Sequence, residues 1–182
     1  ILCFPGTQTA LYATIRSLAE EGDEVLVGDP LYATYEGIIR ASGAEMVTIP
    51  LKQSSNFVIQ PSDLEKAITK KSRVILLNSP HNPTGSILTR KDFLKIADIC
   101  VKHNLWVVSD EVYEELIFAG NFILPCHSKI WQTVRFQFRQ FQKVTPPRGS
   151  DLDGPLDPRN FVPRHSPCQK QCCLAINLSL QI

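Results

Sequence analysis

The sequence predicts an α/β fold for residues 1–120, built on a mainly parallel, doubly wound sheet. Arg73–Leu77 and Leu105–Val108 are apolar runs of the kind found in parallel strands that are buried on both sides. Shorter apolar runs alternate with segments of helical periodicity through the same region, which is the order of elements in a doubly wound sheet. The 182 residues are 43% hydrophobic, which is enough for a sizeable core.

The first half of this region is predicted to contain three short strands and two helices. Ile1–Phe4, Val25–Val27 and Met46–Ile49 are apolar runs next to turn residues, a pattern typical of strands. The first helix has Leu11, Ile15, Leu18 and Ala19 on one face and ends at Gly22, and the second begins at Tyr32 and Tyr35, carries Ile38 and Ile39 and ends at Gly43.

Two more helices are predicted in the second half from their N-caps. Ser62 and Glu65 have the spacing of a capping box at the start of a short helix that contains Leu64. Thr89 is predicted to be the N-cap of a longer helix that ends at Asn104. The inward face of that helix is predicted to consist of Phe93, Ile96, Ala97, Cys100 and Val101.

Polar residues follow both long strands. The first strand is followed by Asn78-Ser79-Pro80-His81-Asn82-Pro83-Thr84-Gly85, and the second by Ser109-Asp110-Glu111-Val112-Tyr113. Ligands of open α/β sheets bind beyond the carboxyl ends of the strands. We therefore expect Asn82, Asp110 and Tyr113 to converge on one crevice. The strand-to-helix turn at Gly6-Thr7-Gln8 is of the kind that suits a phosphate.

These motifs, in this order, resemble the large domain of class I/II aminotransferases, the fold-type I enzymes that use pyridoxal 5′-phosphate (PLP). The resemblance covers roughly Ile1 to Gly120 and includes Asp29-Pro30-Leu31-Tyr32-Ala33-Thr34-Tyr35. It implies PLP as the cofactor and amino-group transfer from an amino acid to a 2-oxo acid. It also implies a homodimer and a cis peptide bond before Pro83.

The resemblance further implies a role in PLP binding for six residues. Asp110 would keep the ring nitrogen protonated, because an opposite charge favours the charged form. Asn82 and Tyr113 would donate hydrogen bonds to the phenolic oxygen of the ring. The amide groups of Thr7 and Gln8 would hold the phosphate, and Tyr32 would stack on the ring, a contact worth ~1 kcal/mol. Three of the positions also have purely structural interpretations, with Asp110 as a helix N-cap, Asn82 as an Asx-turn residue and Tyr32, like Tyr35, as a core aromatic residue.

The pattern changes after about Gly120. Residues 121–182 show no sustained period of two or 3.6 and contain many prolines, which predicts an irregular, poorly ordered tail. The catalytic lysine of the family, in a Ser-x-x-Lys or Ser-x-Ser-Lys setting, is not identifiable. Lys129 and Lys143 have other neighbours, and Lys143 is nearest to the expected distance. No metal site is predicted, since the potential ligands His165, Cys168, Cys172 and Cys173 lack the paired C-x-x-C spacing of zinc modules.

We hypothesise that this tail is translated in a shifted reading frame. If each residue takes the third base of one codon and the first two bases of the next, the genetic code permits ADRTVSVSSVSKSHAAPGFRSGWAVG from Trp131 onward. That string resembles the missing family block, with a lysine after Ser-x-Ser that spans codons 142 and 143. The chain begins at Ile1 without a methionine, so we interpret it as a fragment without the N-terminal segment and the small domain. We expect the chain as written to be inactive.

Composition narrows the remaining classes of protein. A net charge of +1 gives no indication of binding to nucleic acid or to an anionic membrane. No apolar stretch approaches the ~18 residues of a membrane span. The six cysteines are unevenly spread, which favours a reducing cytosol, and the G-x-G-x-x-G pattern of dinucleotide sites is absent. Two alternatives stay open, namely a non-catalytic PLP-binding or regulatory aminotransferase-like module and a fold-type I lyase or decarboxylase.

Overall fold

The structure, a computed structural model, describes residues 2–113, 136–140 and 172–176. Its strands are β1 (Leu2–Phe4), β2 (Glu24–Asp29), β3 (Glu45–Pro50), β4 (Ser72–Asn78), β5 (Trp106–Asp110), β6 (Phe136–Gln140) and β7 (Cys172–Ile176). Its helices are α1 (Thr7–Leu18), α2 (Tyr35–Ala41), α3 (Pro61–Ala67) and α4 (Arg90–Lys102), with a 3-10 turn at Gln53–Ser55. No helix in these three ranges is long and apolar enough to cross a bilayer.

The strands form one sheet in the order β1-β7-β6-β5-β4-β2-β3. Parallel pairs join β3 to β2, β2 to β4, β4 to β5 and β5 to β6. Only β7 runs antiparallel to its neighbours β6 and β1 among the described strands. The predicted α/β fold with a mainly parallel sheet is confirmed. The carboxyl ends of β4 and β5 lie side by side, because Asn78 is paired with Asp110.

Two apolar layers cover the two faces of the sheet. On one face α1 and α2 bury Leu11 and Ile39 against β2 and β4, where they meet Val27. On the other face α3 and α4 bury Leu64 and Ile96 against the same central strands. Successive residues of a strand point to opposite faces, so a strand covered on both sides must be apolar throughout. This requirement explains the long apolar runs in the sequence. Helices on both faces make the sheet doubly wound.

The two predicted helix caps had different outcomes. Thr89 is the N-cap of α4, and its hydroxyl accepts a hydrogen bond from the amide of Asp92 while the Asp92 carboxylate accepts one from the amide of Thr89. The predicted capping box at Ser62 is wrong, because α3 begins at Pro61 and has Gln60 as its N-cap. Proline has no amide hydrogen to satisfy and its fixed φ suits the first helical position, so the helix begins without a side-chain cap.

Two strands lie within the segment that was predicted to be irregular. At β6 and β7 the structure differs from that prediction, since both strands pair within the sheet. Phe136–Gln140 alternates aromatic and polar residues, and Cys172–Ile176 is a short apolar run. Five residues are a weak signal in isolation, but they suffice where β5 offers an edge for pairing. The rest of the tail, with Lys129 and Lys143, lies outside the described residues.

Replacing Thr89 by Ala is expected to lower the free energy of unfolding by about 1 kcal/mol. Alanine removes the hydroxyl that accepts the Asp92 amide, which then lacks a partner at the start of α4. Thr89→Ser keeps a hydroxyl at the same place and is the matched control. Denaturant unfolding measures both variants, and equal losses of stability in the two would contradict this role of the cap.

Candidate functional site

A crevice of about 350 Å³ lies at the carboxyl end of the sheet. The first turn of α1, the β2–α2 connection and the segments after β4 and β5 form its walls. All six residues predicted from the sequence line it, namely Thr7, Gln8, Tyr32, Asn82, Asp110 and Tyr113. Their contribution to cofactor binding stays a prediction, but the structure brings them together at one place.

Asn78, the last residue of β4, connects the two polar segments. Its side-chain amide donates a hydrogen bond to the carbonyl of Asp110 at 3.1 Å, and its side-chain oxygen accepts one from the backbone amide of Asn82 at 2.8 Å. A second donor to the Asp110 carbonyl is the backbone amide of Ser79. Asn78 therefore fixes the position of Asn82 relative to the end of β5. Sequence reasoning did not single out Asn78, although a polar residue that ends a buried strand is a usable signal.

The carboxylate of Asp110 is buried at the foot of the crevice, with the residue only 3% exposed. One carboxylate oxygen accepts a hydrogen bond from the hydroxyl of Tyr35 at 2.7 Å, and the other accepts one from the amide of Val112 at 3.2 Å. Burial raises the pKa of Asp110, and these two hydrogen bonds oppose the rise. No lysine or arginine of the described segments lines the crevice. Among these residues the carboxylate therefore has no cationic partner, and it faces the open space of the crevice.

Tyr35 is a site residue that sequence reasoning left out. It was predicted to begin a helix or to be a core aromatic residue, without a role in the site. It is the first residue of α2, and its hydroxyl donates a hydrogen bond to Asp110. Its ring meets that of Tyr32 edge to face, with the ring centroids 5.6 Å apart. Burial, followed by the nearby charge of Asp110, raises the pKa of Tyr35 well above its ordinary value. The Tyr35 phenol therefore remains a neutral hydrogen-bond donor.

Asn82 and Tyr113 meet on the wall of the crevice. The side-chain amide of Asn82 donates a hydrogen bond to the phenolic oxygen of Tyr113 at 3.1 Å. This contact leaves the hydroxyl hydrogen of Tyr113 able to point to an acceptor in the crevice. The peptide bond between Asn82 and Pro83 is cis, which confirms the expectation drawn from the resemblance.

The structural interpretations of Asp110 and Asn82 meet these contacts differently. Asp110 ends β5, and its carboxylate accepts the amide two residues further on, a contact made both in Asx turns and by helix N-caps. Its interpretation as an N-cap stays a prediction, because the residues after Tyr113 lie outside the described segment. The Asn82 side-chain amide is used in bonding Tyr113, a residue distant in sequence, so Asn82 connects two loops across the crevice.

The amino-terminal end of α1 forms the opposite part of the crevice. Its N-cap is Gly6, at φ 102°, a backbone conformation that other residues rarely adopt. Glycine supplies no capping side chain, and the first amide groups of a helix have no partner inside the helix. The first turn contains no acidic residue. The amide groups and the helix dipole together favour an anion at this position.

Comparison with known families gives one consistent result. The sequence profile of the family described as "Aminotransferase class I and II" matches residues 1–134. The chain is 42% identical over 125 residues to arginine–pyruvate transaminase of Pseudomonas aeruginosa, which covers 69% of this chain and 32% of that protein. It is 40% identical over 130 residues to human kynurenine–oxoglutarate transaminase 3, and this match covers 66% of this chain and 29% of that protein. The chain spans about a third of the length of these curated relatives.

Solved structures with the same arrangement include two aminotransferases. Aspartate aminotransferase from Thermus thermophilus, determined with maleate, matches with a TM-score of 0.73 and 27% identity, over 78% of this chain and 37% of that one. Aromatic aminotransferase from Pyrococcus horikoshii OT3 matches with a TM-score of 0.72 and 31% identity, over 78% of this chain and 38% of that one. The sheet and its helices are therefore arranged as in these proteins.

Replacing Asp110 by Asn is expected to remove a component of stability that decreases as pH rises. Because burial raises the folded-state pKa above the ordinary 3.8, the folded protein binds this proton more tightly than the unfolded chain. The component is therefore fully present below the unfolded pKa and is lost as pH rises through the folded pKa. Urea unfolding of the wild type and the variant between about pH 4 and pH 8 isolates this component as a difference.

Asp63→Asn is the matched control for this measurement. A hydrogen bond from Lys52 lowers the pKa of Asp63, so its contribution is present above the unfolded pKa and is lost as pH falls. The two aspartates should consequently give difference curves of opposite slope. A flat curve for Asp110→Asn, or one with the slope of the control, would contradict the assignment.

Proposed function

Because the chain belongs to the class I and II aminotransferase family, we propose that its crevice binds PLP for the transfer of an amino group from an amino acid to a 2-oxo acid. One observation carries the proposal. The same crevice has at its foot a buried carboxylate with no cationic partner in the described part of the chain, and it has the amino-terminal end of a helix in its wall. PLP carries a basic ring nitrogen and an anionic phosphate on one rigid ring, so its two polar ends match these two features.

Each predicted residue has a defined part in this arrangement. Asp110 holds a proton on the ring nitrogen, because an adjacent carboxylate favours the cationic form. Tyr113 and Asn82 donate hydrogen bonds to the phenolic oxygen of the ring. The amide groups of Thr7 and Gln8 bind the phosphate. The Tyr32 ring, already held edge to face by another aromatic ring, packs against the flat face of the cofactor.

The cofactor supplies the electron-withdrawing ring that the reaction needs, and the protein supplies binding, orientation and a fixed charge. Asp110 would act on the ring nitrogen when the cofactor is bound. The Asn82–Tyr113 pair would act on the phenolic oxygen of the ring. We propose a ping-pong order for the two substrates. We place the complete protein in the cytosol as a homodimer.

We propose that the catalytic lysine is encoded in the shifted reading frame. Two observations support this. The family profile matches residues 1–134, and the shifted string begins to resemble the family at Trp131. In addition, Phe136–Gln140 forms a strand beside β5, and the shifted string reads Val-Ser-Val-Ser-Ser at codons 136 to 140, with apolar and polar residues alternating over the first four. On this proposal the 182-residue chain keeps the residues that hold PLP and lacks the residue that reacts with it.

The 182-residue chain is expected to bind PLP without transaminating any amino acid. Replacing Asp110 by Asn should weaken PLP binding at least about tenfold, since a hydrogen bond to a charged group contributes roughly 1.5–3 kcal/mol. A PLP analogue with carbon in place of the ring nitrogen should bind equally to wild type and variant. Fluorescence titration with both compounds measures this, and Asp63→Asn is the control that should change neither affinity. Equal loss for the analogue would contradict the role of Asp110.

The protein translated in the shifted frame is expected to bond PLP covalently through the lysine that spans codons 142 and 143. Borohydride reduction would make the bond permanent, and peptide mass spectrometry would locate it. The coding DNA after codon 120, sequenced in parallel, tests the shift itself. Labelling of Lys129, or robust transamination by the 182-residue chain, would refute the shifted frame. Transfer of the amino group to a 2-oxo acid distinguishes an aminotransferase from a lyase, a decarboxylase or a regulatory module.

A further inference from the structure

The hydrogen bond between Tyr35 and Asp110 joins two layers of the fold. Tyr35 is the first residue of α2 and is 2% exposed, while Asp110 is the last residue of β5 and is 3% exposed. The hydroxyl and the carboxylate oxygen are 2.7 Å apart, although the two residues are 75 positions apart in the chain. The contact therefore forms only when α2 has packed on the sheet.

The direction of this hydrogen bond follows from the two groups. An ionised carboxylate only accepts hydrogen bonds. The Tyr35 phenol stays protonated, since burial and the nearby Asp110 charge both raise its pKa. Within the described residues, the other ionisable side chains that face the pair are the phenols of Tyr32 and Tyr113. The phenol of Tyr35 and the amide of Val112 are thus the donors through which the described structure supports a negative charge on Asp110.

We propose that Tyr35 is a positioning residue that holds the Asp110 carboxylate in its ionised form and in a fixed orientation at the foot of the crevice. Its consequence for the cofactor rests on the proposed function, since the carboxylate then holds the proton on the ring nitrogen. Tyr35 acts through Asp110 on that nitrogen. An ionised carboxylate with two donors keeps lone pairs for a third partner, and the crevice is where that partner enters.

A packing role for Tyr35 makes different predictions. Phenylalanine keeps the ring, the burial and the edge-to-face contact with Tyr32, and it removes only the hydroxyl. If the residue served packing alone, Tyr35→Phe would have a small effect that depends neither on pH nor on the charge at position 110. If it supports the carboxylate, the effect must depend on both.

The first test is a double-mutant cycle on the stability of the 182-residue chain. Tyr35→Phe, Asp110→Asn and the double variant are unfolded with urea at about pH 5 and about pH 8. We expect Tyr35→Phe to shift the urea midpoint downward more at pH 8 than at pH 5, and we expect this pH dependence to disappear in the Asp110→Asn background. Tyr12→Phe, at a 41% exposed tyrosine of α1, is the control and should shift neither midpoint. An equal shift in both backgrounds and at both pH values would overturn the proposal.

Failure of Tyr35→Phe to fold at pH 8 would also decide the question. The double variant has no carboxylate at position 110 and should then fold, because no charge is left buried without its donor. A double variant that also fails to fold would show that the hydroxyl serves the fold independently of Asp110, and would overturn the proposal.

A second measurement connects the pair to the cofactor. If PLP binding needs ionised Asp110, the affinity for PLP should rise with pH. In Tyr35→Phe, the pH at which the affinity rises should be higher by at least about one unit. The titration of PLP itself affects Tyr35→Phe and Tyr12→Phe equally, so the difference between their profiles does not contain it. An unmoved profile would overturn the positioning role. Coupling in the stability cycle together with an absence of PLP binding by the wild type would instead refute the proposed function and leave the pair intact.

Discussion

A carboxylate buried at the end of a central strand has to obtain its hydrogen-bond donors from other parts of the fold. Asp110 obtains one from α2, through Tyr35, and one from the segment that follows it, through Val112. Its carbonyl oxygen is bound from β4, through Asn78. The crevice is therefore complete only when α2, β4 and β5 have packed together.

That arrangement has an energetic cost that serves binding. Burial raises the pKa of Asp110, so the folded chain holds the negative charge against a tendency to neutralise it. A structure selected for stability alone would favour an apolar side chain here. A cationic group that enters the crevice interacts favourably with this buried carboxylate and offsets the cost of its burial. Part of the binding free energy of such a group comes from this interaction. The amino-terminal end of α1 provides the complementary preference for an anion.

Sequence reasoning succeeded where a local pattern fixes the structure. Apolar runs marked the buried strands, and position after a strand end was enough to bring Asn82 and Asp110 to one crevice. It failed for Tyr35, because a hydrogen bond across 75 residues leaves no local trace and a tyrosine at the start of a helix resembles an ordinary core residue. The cap of α3 was misplaced for a local reason, since Pro61 begins that helix without a capping side chain.

The pairing of β6 also bears on the proposed position of the catalytic lysine. β6 is parallel to β5, with Phe138 opposite Asp110, so the carboxyl ends of both strands point to the same edge of the sheet. The proposed lysine, encoded across codons 142 and 143, follows Gln140 closely in the sequence. Ligands of open α/β sheets bind beyond the carboxyl ends of such strands, so the proposal is consistent with this topology. Under the proposed shift of frame, codons 136 to 140 would specify Val-Ser-Val-Ser-Ser, so the near-alternating pattern of the strand would be kept while the residues that follow it would change.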